Sequence, residues 1–118
     1  MSGTSQLPPK VQEKLGRLQQ LQNTLQQLVI QKQRLDLERN ESERALKVLE
    51  DLPSRKKVYK SSGAIMVEKE KDEVVEELEE RLGFLEMRAK VLTKQENNTR
   101  KRLSDLQESL QKELNLSP

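Results

Sequence analysis

The sequence predicts a mainly α-helical fold, a long antiparallel two-helix coiled coil with one central β-hairpin that joins those of other subunits in a shared sheet or closed intersubunit β-barrel. Three observations carry this expectation. Ala, Glu, Lys, Leu and Arg supply 61 of the 118 residues, the level of long helices and coiled coils rather than thick globular cores. Two stretches repeat apolar residues every three and four positions. Between them, "KKVYKSSGAIMVEKEK", residues 56–71, breaks that period and reads as β.

One structural unit, residues 1–118, is expected from the length. Its first helix is predicted over 8–52. With Val11 at heptad position a, Leu18, Leu25 and Leu46 also fall at a, and Leu21, Leu28, Leu35 and Leu49 at d. Lys14, Lys32, Arg39 and Ser42 are the polar exceptions in that seam. Pro8 and Pro9 suit a first turn, where a missing N–H costs nothing, and Pro53 disfavours continuing the helix at Leu52.

The connector spans 53–71. Val58-Tyr59-Lys60 and Ala64-Ile65-Met66-Val67 flank Ser61-Ser62-Gly63, and Gly63 can take the positive φ that a tight or bulged turn needs. Ile65 and Val67 should face one side of the hairpin and Met66 the other. A lone two-stranded hairpin is marginal in water, and this one would leave apolar side chains and strand edges open. Hairpins of other subunits, joined edge to edge into a shared sheet or closed barrel, would cover them. A loop that merely reverses the chain would not need Val-Tyr and Ile-Met-Val.

The second helix is predicted over 72–115. Val75, Leu82, Ala89, Leu103 and Leu110 take position a and Leu78, Leu85, Leu92 and Leu106 position d, with Glu96, Thr99 and Glu113 polar. Asp72, Glu73, Glu76, Glu77, Glu79 and Glu80 crowd its start, where the helix dipole favours negative charge. Each helix should measure about 64 Å at 1.5 Å per residue. Antiparallel pairing across the connector sets Lys32 near Leu92 and Glu96 near Leu28. Lys32 and Glu96 then either meet about one turn apart or snorkel out of the seam.

The stretch "VYKSSGAIMVEKEKDEVVEELEERL" resembles the hairpin and following helix of the prefoldin β-class subunit: Val-Tyr-Lys, a variable pair, Gly, an apolar strand, then an acidic helix start. "LGFLEMR", the Gln95-Glu96 pair and the Gln-rich "LQQLQNTLQQL" also fit, so the likeness covers roughly residues 8–114. A single hairpin is similar to the β class, since α-class subunits carry a second. The resemblance implies a cytoplasmic, ATP-independent holdase subunit within a heterohexamer of two α and four β subunits. Coiled-coil arms would capture unfolded proteins at their tips and deliver them to a group II chaperonin, with no cofactor. By that likeness Val58, Tyr59, Gly63, Ile65, Met66 and Val67 belong to the assembly hairpin, and nothing carries over to Ser61 and Ser62. The compact single-hairpin chain looks more like an archaeal subunit than a diversified eukaryotic one.

Apolar residues continue toward both termini: Leu7, Val11, Leu15 and Leu18, and Leu106, Leu110, Leu114 and Leu116. Coiled-coil ends fray, so these seam residues are expected to be exposed part of the time, some closing the coil and others meeting clients.

Other classes fare worse. With no Cys and no His, disulfides, thiol nucleophiles and imidazole chemistry are excluded. No Gly-rich phosphate loop or nucleophile–base pair is present, so no enzyme is expected. No apolar run approaches a membrane span, and "MSGTSQLPPK" lacks a hydrophobic signal core, which predicts a soluble intracellular protein. The connector carries six basic and two acidic residues, against four and seven over 72–95. Its Arg55-Lys56-Lys57-Lys60 cluster has no aromatic platform or reading helix for nucleic acid, and reads as a solvated flank or one facing a neighbour's acidic helix start. A structural coiled-coil scaffold or spacer without chaperone activity remains the alternative.

Overall fold

The computed structural model describes residues 7–115. Four elements follow in order: α1 (Pro9–Glu50), β1 (Lys57–Ser62), β2 (Ile65–Glu70) and α2 (Lys71–Asn115). The chain divides into two compact units. A terminal unit holds residues 1–31 and 92–118, and a hairpin unit holds residues 32–91.

Pro9 opens α1 as the heptad pattern and the two prolines require. The Pro8 carbonyl accepts from the N–H groups of Val11 and Gln12, each at 3.0 Å, so Pro8 stands at the cap and Pro9 fills the first helical position without losing a bond. At the other end Leu52 N–H donates to the Leu49 carbonyl at 3.0 Å, and a turn follows in which Lys56 N–H donates to Pro53 at 3.2 Å. Arg55 sits at the third position of that turn with φ 62°, the left-handed region that favours glycine.

The apolar stripe of each helix is the buried stripe. All twelve seam positions of α1 and all twelve of α2 are buried or half-buried, including the polar ones. In the terminal unit Val11, Leu92, Leu103 and Leu110 are buried; in the hairpin unit Leu35, Leu49 and Leu85 are. Burying a leucine side chain fully stabilises by about 1.5–3 kcal/mol, and a two-helix seam is narrow enough that few reach full burial.

Polar seam residues are accommodated differently. Thr99, 8% exposed, donates its hydroxyl back to the Gln95 carbonyl at 2.8 Å, so its burial leaves no donor unmet. Lys14 donates to Ser109 Oγ at 2.7 Å and forms an ion pair with Glu113, another polar seam position. Start of α1 thus lies beside the end of α2 in the terminal unit. Arg39 contacts Asp36 at 3.8 Å, while its Nε is buried without a hydrogen-bond partner among the described residues.

Within the hairpin unit the helix segments are also antiparallel. Arg81 pairs with Glu38 at 3.2 Å, and Lys71 donates through Nζ at 2.6 Å to the carbonyl of Leu52, in the turn just past α1. Ser54 donates to Asp72 in the first turn of α2 at 2.8 Å.

Candidate functional site

Strands β1 and β2 form a two-stranded antiparallel sheet in which Val58 faces Lys69, Tyr59 faces Glu68, Lys60 faces Val67, Ser61 faces Met66 and Ser62 faces Ile65. The expected hairpin is present, with a shorter turn than the three residues Ser61-Ser62-Gly63. Ser61 and Ser62 are ladder residues, and Gly63-Ala64 alone reverse the chain. Gly63 has φ 60° and Ala64 does not share the left-handed region, the pattern of a two-residue type II′ turn, whose twist matches that of the strands.

Alternation sorts the side chains as expected. Val58, Lys60, Ile65, Val67 and Lys69 share one face; Tyr59 and Met66 share the other. The first face is tied to the start of α2. Lys60 and Lys69 each reach a different carboxylate oxygen of Glu77, both at 2.6 Å. Hydrogen bonds from Lys60 and then Lys69 lower the Glu77 carboxyl to about 2, and the bond to Glu77 raises Lys69 above its ordinary value. Lys56 accepts through its carbonyl from Lys71 N–H at 2.8 Å, closing the sheet base against α2.

Apolar surface remains open. Tyr59 is 64% exposed and Met66 68%; Ile65 and Val67 are also exposed, and only Val58 is half-buried. Beside them a groove of about 890 Å³ is lined by Val48, Val58, Tyr59, Val74, Leu78 and Phe84 among others. Heptad reasoning left Val48 and Phe84 out, although their signal is legible: apolar residues two places past a seam position cannot face the seam, so they must face something else. Phe84 is 66% exposed, and Leu37, Met87 and Val91 follow the same logic.

The terminal set divides. Val11 and Leu110 are buried and close the seam; Leu18 and Leu106 are half-buried. Leu7, Leu15 and Leu114 are exposed, Leu114 by 50%. Leu116 lies outside the described residues. None of these groups is a metal ligand set, and no cluster of acidic residues that could hold an ion occurs among the described residues. Among the described residues no helix is long and apolar enough to cross a membrane.

The lysines of the hairpin strands are engaged with their own chain. Lys57 lies 4.0 Å from Glu70 of the facing strand, whereas Lys60 and Lys69 meet Glu77 at the acidic start of α2. Beside these paired lysines the strands leave Tyr59, Ile65, Met66 and Val67 open.

Comparison with known proteins gives a consistent set. Residues 12–116 match the family model described as "Prefoldin subunit". The chain is similar to "Prefoldin subunit beta" of Methanothrix thermoacetophila, 41% identical over 118 residues, which are 100% of this chain and 97% of that one. It is also similar to "Prefoldin subunit beta" of Thermococcus kodakarensis, 40% identical over 108 residues, covering 92% of each. Among solved structures, the prefoldin beta subunit from Thermococcus strain KS-1 superposes with a TM-score of 0.84 at 39% identity, over 96% of this chain and 98% of that one. The beta2 subunit from the same strain gives a TM-score of 0.69 at 30% identity, over 77% and 97%.

Proposed function

The chain belongs to the prefoldin subunit family, a family of chaperone subunits, and from that premise we propose that it is an ATP-independent holdase subunit that captures unfolded proteins at its coiled-coil tip and delivers them to a group II chaperonin. The observation that carries the assembly half of this reading is the hairpin: Tyr59, Ile65, Met66 and Val67 stay exposed on a two-stranded sheet with both outer edges unpaired among the described residues. Such a sheet is stable when others share it. The partners are prefoldin α subunits, two to every four β chains, in the cytoplasm. Val48 and Phe84 would extend the contact from the sheet onto the helices.

The capture half rests on Leu7, Leu15 and Leu114, apolar and exposed near the chain ends. One such patch holds a client weakly; several arms on one client raise the effective concentration of each later contact, and avidity exceeds any single affinity by about a hundredfold or more. Weak individual contacts also permit release. A scaffold or spacer that pairs only through helices needs no β element, so an exposed β1–β2 sheet favours the chaperone reading over it.

Removing residues 1–16 and 106–118 is expected to abolish aggregation suppression of a denatured client while assembly with α subunits, followed by light scattering, persists. A truncated complex that still protects its client in full would refute capture at the tips.

A further inference from the structure

We propose that the terminal unit selects among unfolded segments by charge, favouring those in which carboxylates alternate with apolar residues; the proposal rests on the tip-capture reading and adds a client chemistry to it. The unit holds eight basic and five acidic residues, whereas the hairpin unit holds fourteen and fifteen, so the positive excess of the chain lies in its terminal unit.

Ion pairing sharpens that excess. Glu13, Glu96 and Glu113 are taken by Arg17, Arg100 and Lys14. Lys10, Lys94, Lys101, Arg102 and Lys112 have no ion-pair partner among the described residues, and on the acidic side only Asp105 and Glu108 are similarly left over. The unit thus has five unmatched cations against two unmatched anions, of which Arg102 and Asp105 line one groove.

This groove, of about 700 Å³, is where the charge meets apolar surface. Leu21 and Leu106 supply its apolar lining; Arg102 is its unmatched cation, Arg17 joins the rim through an exposed pair with Glu13 that a second carboxylate can share, Lys14 is held by Glu113, and Asp105 is its one acidic member. A guanidinium binds a carboxylate in a planar, two-pronged arrangement, and it stays charged at any physiological pH. A segment carrying Asp or Glu beside Leu, Ile or Phe therefore meets both kinds of surface at once. A lysine-bearing segment of equal hydrophobicity meets the same leucines against like charge.

Two fluorescent peptides with one Leu/Phe pattern, bearing either Glu or Lys at the intervening positions, test this against the full-length assembled complex at low salt. Exposed ion pairs are individually weak, so the expected preference for the Glu peptide is about threefold to tenfold. It should vanish in half-molar salt, where exposed pairs are screened, and in Arg17→Glu/Arg102→Glu. Should that double variant fail to fold, Arg102→Gln is expected to reduce the preference and Arg102→Lys to retain part of it. Equal binding of both peptides, or a preference unchanged in the variants, overturns charge selection while leaving tip capture standing. Binding of neither peptide removes both readings. A change in the mass of the complex caused by Arg17→Glu/Arg102→Glu would assign the groove to a second copy of the chain and also overturn the proposal.

Discussion

Lys60 Nζ lies 2.6 Å from a carboxylate oxygen of Glu77, so a residue of β1 is fastened directly to the second turn of α2. Lys69 of β2 holds the other oxygen of the same carboxylate. One side chain therefore ties both strands to α2, alongside the backbone bond from Lys71 to Lys56.

Acid should loosen this fastening. Glu77 has a folded-state pKa of about 2 against an ordinary 4.5, the depressed case, so its contribution is complete above pH 4.5 and is lost as pH falls from there toward 2. Tyr59 is the single tyrosine and there is no tryptophan, which makes tyrosine fluorescence a local reporter of the hairpin. The prediction is a change in that signal below pH 4.5 in the native chain, absent in Glu77→Gln, which lacks the titrating carboxylate. Matching acid profiles for the two proteins would show that Glu77 does not hold the sheet.

The two left-handed residues predict opposite effects. A Cβ at Gly63 would meet nothing within 4 Å, so Gly63→Ala is resisted by its φ of 60° alone and should cost about 1 kcal/mol. Arg55, at φ 62°, already bears that strain; Arg55→Gly should leave stability unchanged or raise it by up to about 1 kcal/mol, whereas Arg55→Ala gains nothing. Thermal melts at one fixed protein concentration measure both. A stabilised Gly63→Ala would mean that the turn is not type II′.

Seam and groove residues should separate stability from association. Leu92 is 3% exposed, and Leu92→Ala is expected to cost about 2–4 kcal/mol, toward the lower end if water fills the narrow seam. Phe84→Ala and Val48→Ala alter exposed surface, so each should shift the melting of the isolated chain little, by about 0.5 kcal/mol or less. Sedimentation with α subunits should nonetheless show weakened assembly for both. Unchanged assembly would confine the contact to the hairpin.

Arg39 gives a third kind of seam position. Its Nε is buried without a partner among the described residues, a cost that an apolar side chain would not carry. Arg39→Leu should therefore stabilise the chain by about 1 kcal/mol, read from denaturant unfolding. Destabilisation would mean that the aliphatic stem and the contact to Asp36 outweigh the unmet donor.

Much of the fold was legible in residue order because a period of three and four fixes which face of a helix turns inward, whatever it meets. Ser42 and Thr99 are buried for that reason alone: they occupy seam positions, and their neighbours carry them in. The hairpin was equally local, since Gly63 and the strand alternation lie within a dozen residues. Ser61 and Ser62 have turn chemistry, which predicts a turn one residue longer than the observed Gly63-Ala64, and the ladder overrides that preference.

Amino-acid order by itself determined the two helices, their apolar stripes, the hairpin and the acidic start of α2, all set by interactions among near neighbours in the chain. Tertiary structure decided that Lys14 meets Glu113, that Glu77 takes both hairpin lysines, and that Val11 and Leu110 close the seam while Leu7, Leu15 and Leu114 stay open. The reason is axial register: a heptad repeats along its helix, so it names the buried face without naming the partner opposite. Only the packed helices choose among registers that the repeat leaves equivalent.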